Sequence, residues 1–157
     1  MLISGKSRKL IIQEMTDMKK KILYYEDEKH YAKSLVEAIQ SKNKNIINTV
    51  YTPSDFFKEI NSDKSYNLFI LDILVPLEHF LEDDINKLTE KQQLKLENGL
   101  NVGIVFYEIL RDMAKYKETP VIFLTSKSYT EFHDPKVRYF SKPVNWETII
   151  TAIDELI

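Results

Sequence analysis

Short apolar runs alternate with longer amphipathic stretches along the chain. Five of the runs are rich in β-branched and aromatic residues, which is typical of strands. They are KKILYYEDE, NIINTVYT, YNLFILDIL, TPVIFLTS and VRYFSKP. The stretches between and after them carry apolar residues at helical spacing, as Tyr31, Leu35 and Ile39 do in KHYAKSLVEAIQSKN. Strands that alternate with helices in this way predict a doubly wound α/β protein with a parallel sheet.

The segment after the third strand is too long and too patterned for a plain loop. Its apolar residues fall on one face at helical spacing: Leu77, Phe80, Leu81, Ile85 and Leu88. We therefore expect one amphipathic helix over residues 77–95, with Asp83, Asp84 and Glu90 on its solvated side. Earlier in the chain, Ser54 is the predicted N-cap of the short helix DFFKEINS.

Composition excludes several classes of function. A net charge of −2 gives no electrostatic reason to expect direct binding to nucleic acid or to an anionic membrane. The chain has no cysteine, which excludes disulfides and thiol catalysis, and its three histidines are scattered. The apolar runs are about half as long as a membrane span requires, and the first residues do not resemble a signal peptide. We expect a cytoplasmic protein without membrane insertion.

One carboxylate interrupts the most apolar strand. Asp72 follows LFIL, and burying its charge costs several kcal/mol unless a partner compensates it. Glu26 and Asp27 end the first strand, Thr125 ends the fourth and Lys142 follows the fifth. Because the carboxyl ends of parallel strands meet at one edge, these five side chains should collect there. Crowded carboxylates require a cation, and oxygen ligands select a hard one such as Mg²⁺.

Four segments together resemble a known family. ILYYEDE, LFILDILVP, VIFLTS and YFSKP are similar, in this order, to the signature segments of response-regulator receiver domains of two-component systems. The resemblance covers residues 21–157, with an insertion at 77–98, and it leaves residues 1–20 as an N-terminal extension. It implies a flavodoxin-like sheet of five strands in the order 2-1-3-4-5. No output domain is predicted after the last helix, so the expectation is a stand-alone receiver.

The resemblance assigns a phosphorylation and metal site. It implies that Asp72 accepts the phosphoryl group and that Mg²⁺ is held by Glu26, Asp27, Asp72 and the backbone carbonyl of Leu74. It also implies a sensor histidine kinase or a phosphotransfer protein as the partner that supplies the phosphoryl group.

Further positions follow from the same resemblance. Thr125 and Lys142 would contact phosphoryl oxygens, and the bond between Lys142 and Pro143 would be cis. Tyr139 stands at the aromatic switch position, so that Thr125 and Tyr139 would move together after phosphorylation. Only 14 positions separate these two residues, which implies a shortened or missing fourth helix.

The residues that govern water attack on the phosphorylated aspartate in this family lie two positions after the aspartate and two after the threonine. Here they are Leu74 and Lys127. Because the leucine side chain cannot position a water by hydrogen bonding, we hypothesise a long-lived phosphorylated state, with the insertion acting as a lid or as a partner-binding surface.

Two alternatives to a phosphoryl-accepting signalling domain stay open. A phosphatase of the haloacid dehalogenase type also uses an aspartate after a strand, but it needs a second aspartate where this chain has Leu74, so catalytic turnover is not expected. A pseudo-receiver would use the fold as an interaction module without phosphorylation. Glu26 and Asp27 could also be a solvated strand end, and Tyr139 could be an ordinary packing residue.

Overall fold

Five parallel strands form one sheet in the computed structural model. The structure describes residues 7–10, 19–42, 45–96, 100–126 and 133–157. The strands are β1 (Lys21–Tyr25), β2 (Ile46–Val50), β3 (Leu68–Leu71), β4 (Val121–Thr125) and β5 (Val137–Ser141). Their order across the sheet is β2-β1-β3-β4-β5, and each neighbouring pair is parallel. The predicted fold class and strand order are confirmed.

Helices cover both faces of the sheet. They are α1 (Lys29–Lys42), α2 (Pro53–Ile60), α3 (Glu82–Asn86), α4 (Glu90–Lys95), α5 (Val102–Asp112) and α6 (Trp146–Leu156). Alternation along each strand divides the core into two layers, because successive side chains point to opposite faces. Tyr25 packs with α2 and α5 on one face, whereas Tyr24 packs with α1 and α6 on the other. The middle strand β3 is buried along its whole length.

The short helix after β2 begins two residues earlier than predicted. Thr52, and not Ser54, is its N-cap: the Thr52 hydroxyl accepts a hydrogen bond from the Asp55 backbone N–H at 3.2 Å. Pro53 takes the first helical position, where a missing N–H costs nothing. The hydroxyl of Ser54 does not cap this helix and is therefore available for a tertiary contact.

The single helix predicted over residues 77–95 is wrong. The segment instead forms a 3₁₀ turn at Leu77–His79 followed by the two short helices α3 and α4. Asp84 does not lie on a solvated side either, because it is only 1% exposed. Its carboxylate accepts hydrogen bonds from the Ser54 hydroxyl at 2.6 Å and from the Leu81 backbone N–H at 3.2 Å. These contacts compensate the burial of its charge.

The insertion is packed onto the domain by apolar contacts as well. Phe80, Leu88 and Leu96 are buried in the layer that contains α2 and α5, and the ring of Phe80 lies 6.2 Å from that of Phe106. Lys95 in α4 forms an ion pair with Glu108 in α5. Residues 77–96 therefore cover part of the core.

Some predictions concern residues that the structure does not describe. The proposed reduction of the fourth helix falls mainly on residues 127–132, which lie outside the described residues, as does Lys127. In the N-terminal extension, residues 8–10 are helical. Within the described ranges, no helix combines the length and the apolar character that a membrane span requires.

Candidate functional site

Three carboxylates meet at the carboxyl edge of the sheet. Glu26 and Asp27 follow β1, and Asp72 follows β3, its neighbour in the sheet. One oxygen of each lies within 4.8 Å of an oxygen of the others. Glu26 is 0% exposed and Asp72 is 4% exposed, while Asp27 is half-buried. Three carboxylates this close together, two of them buried, repel one another and require positive charge nearby.

Lys142 supplies positive charge to this cluster. Its Nζ donates to Glu26 Oε2 at 2.6 Å and to Asp72 Oδ2 at 2.8 Å. The lysine side chain is 9% exposed, so both ion pairs are shielded from water. Lys142 follows β5, which lies two strands away from β3 in the sheet. Its N–H donates to the Thr125 carbonyl at 2.8 Å and continues the pairing of β5 with β4, so the side chain starts from the same edge of the sheet as the acids.

Backbone contacts fix the position of Asp72. Its N–H donates to the Tyr25 carbonyl at 3.1 Å, which extends the pairing of β3 with β1 by one residue. Its Oδ1 accepts a hydrogen bond from the Leu74 N–H at 3.1 Å. Gly103, in the first turn of α5, packs directly beneath: a Cβ at this position would lie 2.4 Å from the Asp72 carbonyl oxygen. The carboxylate is therefore held from its own backbone and from a neighbouring helix.

The remaining predicted residues lie along β4 and β5. Thr125 is fully buried at the end of β4, opposite Ser141 in the register. Tyr139 is half-buried, opposite Phe123, and packs against the core layer that contains α5. The peptide bond between Lys142 and Pro143 is cis. The structure thus brings Glu26, Asp27, Asp72 and Lys142 into one cluster and places Thr125 and Tyr139 on the adjoining strands. The contribution of the Leu74 carbonyl to a metal site stays a prediction.

Burial and mutual repulsion change the acidity of the cluster. Removal from water, together with the charge of Asp72, raises the pKa of Glu26 from its ordinary 4.5 to about 7, although Lys142 opposes this change. Burial also raises the pKa of Asp72, again against the opposing effect of Lys142. For Lys142, burial alone would lower the pKa, but the two carboxylates outweigh it and raise the pKa above its ordinary value. One ammonium group leaves the acids incompletely compensated.

The donor set fits a hard divalent cation. Carboxylate oxygens at this spacing, from two adjacent strand ends, are what Mg²⁺ binds in proteins, usually with several waters retained. A cation beside Glu26 and Asp72 would stabilise their charged forms and so oppose the effect of burial, which raises the pKa of both. Glu26, Asp27 and Asp72 are the residues that could hold it.

Two tyrosines contribute contacts that were not predicted. The Tyr24 hydroxyl donates to Glu26 Oε2 at 3.0 Å. The sequence contained a signal for this contact, because alternation along a strand places residues 24 and 26 on the same face. The Lys142 Nζ lies 4.4 Å from the centroid of the Tyr31 ring. No pattern in the sequence indicates this second contact, since it joins α1 to the loop after β5.

Comparison with known proteins identifies the fold. No family model and no curated protein matches the sequence. Among solved structures, the BeF3-activated receiver domain of DrrB, a response regulator of Thermotoga maritima, is 22% identical with a TM-score of 0.57, over 88% of this chain and 97% of that one. Chemotaxis response regulator CheY4 of Vibrio cholerae is 16% identical, with a TM-score of 0.61 over 89% of this chain and 100% of that one.

A third solved structure agrees with these two. A CheY-like receiver domain from Methylobacillus flagellatus is 13% identical, with a TM-score of 0.63 over 88% of this chain and 99% of that one. The match covers nearly the whole length of all three structures. This chain has the fold of response-regulator receiver domains.

Proposed function

We propose that the protein is a phosphoryl-accepting receiver of a two-component system, with Asp72 as the acceptor. The observation that carries the proposal is the bridge from the Lys142 ammonium to the buried carboxylates of Asp72 and Glu26, at 2.8 and 2.6 Å. A buried charge cluster of this kind adds little stability compared with apolar packing, so its presence favours a chemical role.

The reaction would be a direct transfer to the carboxylate. An oxygen of Asp72 attacks the phosphorus of the donor, the bond from phosphorus to the donor's leaving atom breaks, and the leaving group keeps the electron pair. The product is a mixed anhydride of the aspartate and phosphate. From a phosphohistidine the broken bond is P–N, and from a small acyl phosphate it is P–O.

The residues around Asp72 would stabilise the charge that develops on the transferred group. Lys142 already touches the acceptor and would turn toward a phosphoryl oxygen. The Thr125 hydroxyl would donate to another oxygen. Mg²⁺, held by Glu26, Asp27, Asp72 and the Leu74 carbonyl, would neutralise further charge on the phosphoryl oxygens when bound.

Signalling would follow from the change of charge at Asp72. A phosphorylated carboxylate carries close to two negative charges instead of one. Movement of Thr125 toward it would open space into which Tyr139 rotates, and this rearrangement would alter the surface that a downstream protein recognises. The donor would be a sensor histidine kinase or a phosphotransfer protein.

Incubation with acetyl phosphate and Mg²⁺, followed by mass spectrometry of the intact protein, tests the proposal. The wild type should gain one phosphoryl group, and Asp72→Asn should gain none. Asp83→Asn, which changes an exposed carboxylate in the insertion, should behave as the wild type. Phosphorylation of Asp72→Asn at the wild-type rate would show that the acceptor is wrongly assigned.

The metal site and the alternative function need separate measurements. Mg²⁺ binding, followed by calorimetry without any donor, should be lost when Asp27→Ala and Asp72→Ala are combined. If the wild type neither accepts a phosphoryl group nor binds beryllium trifluoride in the presence of Mg²⁺, the pseudo-receiver interpretation replaces the proposal.

A further inference from the structure

We propose that Tyr31 is a positioning residue for Lys142, and that its ring face holds the ammonium group ready for the phosphoryl group. The inference rests on the proposed function and adds a residue to its machinery. Lys142 Nζ lies 4.4 Å from the centroid of the Tyr31 ring, inside the range in which a cation is attracted to an aromatic face. The lysine side chain is almost completely shielded from water, which strengthens this attraction.

The ammonium group of Lys142 has three close neighbours. A lysine ammonium carries three N–H donors. Two of its neighbours in the structure are carboxylate oxygens, Glu26 Oε2 and Asp72 Oδ2. The Tyr31 ring is a third neighbour and belongs to a different element, the helix α1. The ammonium group is therefore placed by two acids and one aromatic face.

The ring itself is fixed by packing that does not involve the acids. Tyr31 meets Trp146, the first residue of α6, edge to face, with centroids 4.9 Å apart and planes inclined at 75°. Trp146 packs against the core layer that contains residues of α1 and α6. Because α1 and α6 pack together independently of the charge on the carboxylates, the ring can keep its position when that charge changes.

Phosphorylation would change the two acidic contacts but not the aromatic one. Asp72 becomes an acyl phosphate, and Glu26 is a candidate metal ligand, so each loses or shares its interaction with Lys142. A tyrosine ring is neutral and does not compete for a hard cation. It also attracts the ammonium group without a directional hydrogen bond, which permits the group to turn from Asp72 toward a phosphoryl oxygen. Tyr31 would thus retain Lys142 at the site throughout the transfer.

Three variants separate the ring face from the hydroxyl and from general packing. Tyr31→Leu removes the π face, Tyr31→Phe retains it without the hydroxyl, and Tyr31→Met is a second non-aromatic change if the leucine variant does not fold. Tyr51→Leu is the matched control, because the ammonium of Lys29 lies 5.4 Å from the Tyr51 ring and neither residue belongs to the acidic cluster.

The first readout is the rate of phosphorylation by acetyl phosphate at saturating Mg²⁺. We expect Tyr31→Leu to lower this rate about 3- to 30-fold, the range that corresponds to a partly or fully desolvated cation–π contact. Tyr31→Phe and Tyr51→Leu should stay close to the wild-type rate. If Tyr31→Phe is slowed as much as Tyr31→Leu, or if neither non-aromatic variant is slowed, the ring face does not position Lys142.

The second readout does not depend on phosphoryl transfer. The ¹H–¹⁵N NMR signal of the Lys142 ammonium, assigned by its absence in Lys142→Met, is sharp only while the group is held in place. It should persist in Tyr31→Phe and broaden or disappear in Tyr31→Leu. A wild type that accepts no phosphoryl group but shows this pattern would refute the proposed function and support the role of Tyr31. An unchanged signal in folded Tyr31→Leu would refute the role of Tyr31.

Discussion

At the scale of single residues, the site is short of positive charge. Glu26 and Asp72 share the one ammonium group of Lys142, and Asp27 stands beside them. Burial and the charge of Asp72 raise the pKa of Glu26 to about 7, so this carboxyl takes up a proton as the pH falls through neutrality. A proton and a metal ion are two ways to relieve the same excess of negative charge. The two should therefore compete at this site.

The raised pKa of Glu26 predicts how the stability of the metal-free protein depends on pH. Because the pKa of Glu26 is higher in the folded protein than its ordinary 4.5, its contribution to stability is fully present below that value and is lost as the pH rises through about 7. The loss should be on the order of a few kcal/mol. Urea unfolding of the wild type and of Glu26→Gln, without metal, measures it as the difference between the two pH profiles.

A control and the effect of metal complete this test. Glu28→Gln changes an exposed neighbouring acid and should leave the pH profile of the wild type unchanged. Added Mg²⁺ should restore more stability to the wild type at about pH 8 than at about pH 5, since protons no longer compete for the carboxylates. A wild type whose stability relative to Glu26→Gln does not fall over this window would contradict the assignment of Glu26.

At the scale of elements, the start of α5 is part of the site. Gly103 lies against the backbone of Asp72 and Ile73, and its N–H donates to the Ile73 carbonyl at 3.3 Å. The close approach places the first turn of the helix directly under the loop that carries the acceptor. Any residue larger than glycine would have to displace either the helix or that loop.

Gly103→Ala should therefore destabilise the protein. In an exposed helix interior, the change from glycine to alanine stabilises by about 0.5–1 kcal/mol. Here the added Cβ meets backbone atoms, and overpacking of this kind costs about 1–3 kcal/mol. Chemical denaturation measures the sign of the change, and Ser34→Ala, at an exposed position in α1, is the control. A stabilised Gly103→Ala variant would show that the helix can move without cost.

The sequence predicted the regular elements well because their patterns are local. Periodicity predicts the strands and the helices that flank them. The geometry of parallel sheets then predicts that Glu26, Asp72 and Lys142 meet at one edge. The single helix predicted for the insertion is wrong because the apolar residues from Leu77 to Leu88 keep helical spacing although the backbone leaves the helical conformation between the 3₁₀ turn, α3 and α4. One break was visible: Thr89 and Gln92 form a capping box, with hydrogen bonds of 3.2 and 3.0 Å, that begins α4.

Other features could not be predicted because they depend on tertiary contacts. Asp84 looks like a solvated residue in the sequence, and its burial is compensated in part by a contact with the distant Ser54. The contact of Lys142 with Tyr31 likewise joins distant parts of the chain.

The N-cap at Thr52, by contrast, could be predicted from the sequence, since threonine before proline is a common helix start.

At the scale of the whole molecule, the insertion is joined to the edge of the sheet where the acids lie. Ser54 belongs to the first turn of α2, which follows the carboxyl end of β2, and its hydroxyl is bound by Asp84 at 2.6 Å. Lys87 adds an ion pair to Asp84 at 3.5 Å. Leucines on the outer side of the insertion remain exposed, Leu81 by 61% and Leu94 by 66%. A buried carboxylate of the insertion is therefore bound to the helix that begins at the carboxyl edge of the sheet.

Loosening this anchor tests whether the insertion shields a phosphorylated Asp72. Asp84→Ala removes the acceptor of the Ser54 hydroxyl and of the Leu81 N–H, which should lower the free energy of unfolding by about 1–3 kcal/mol. If the anchored insertion limits water access, the same variant should also lose its phosphoryl group faster than the wild type after removal of acetyl phosphate. Asp83→Ala, an exposed neighbour, should change neither quantity. Reduced stability with an unchanged rate of phosphoryl loss would mean that the insertion covers the core but does not protect the acyl phosphate, and the lifetime of the signal would then depend on groups closer to Asp72, such as Leu74.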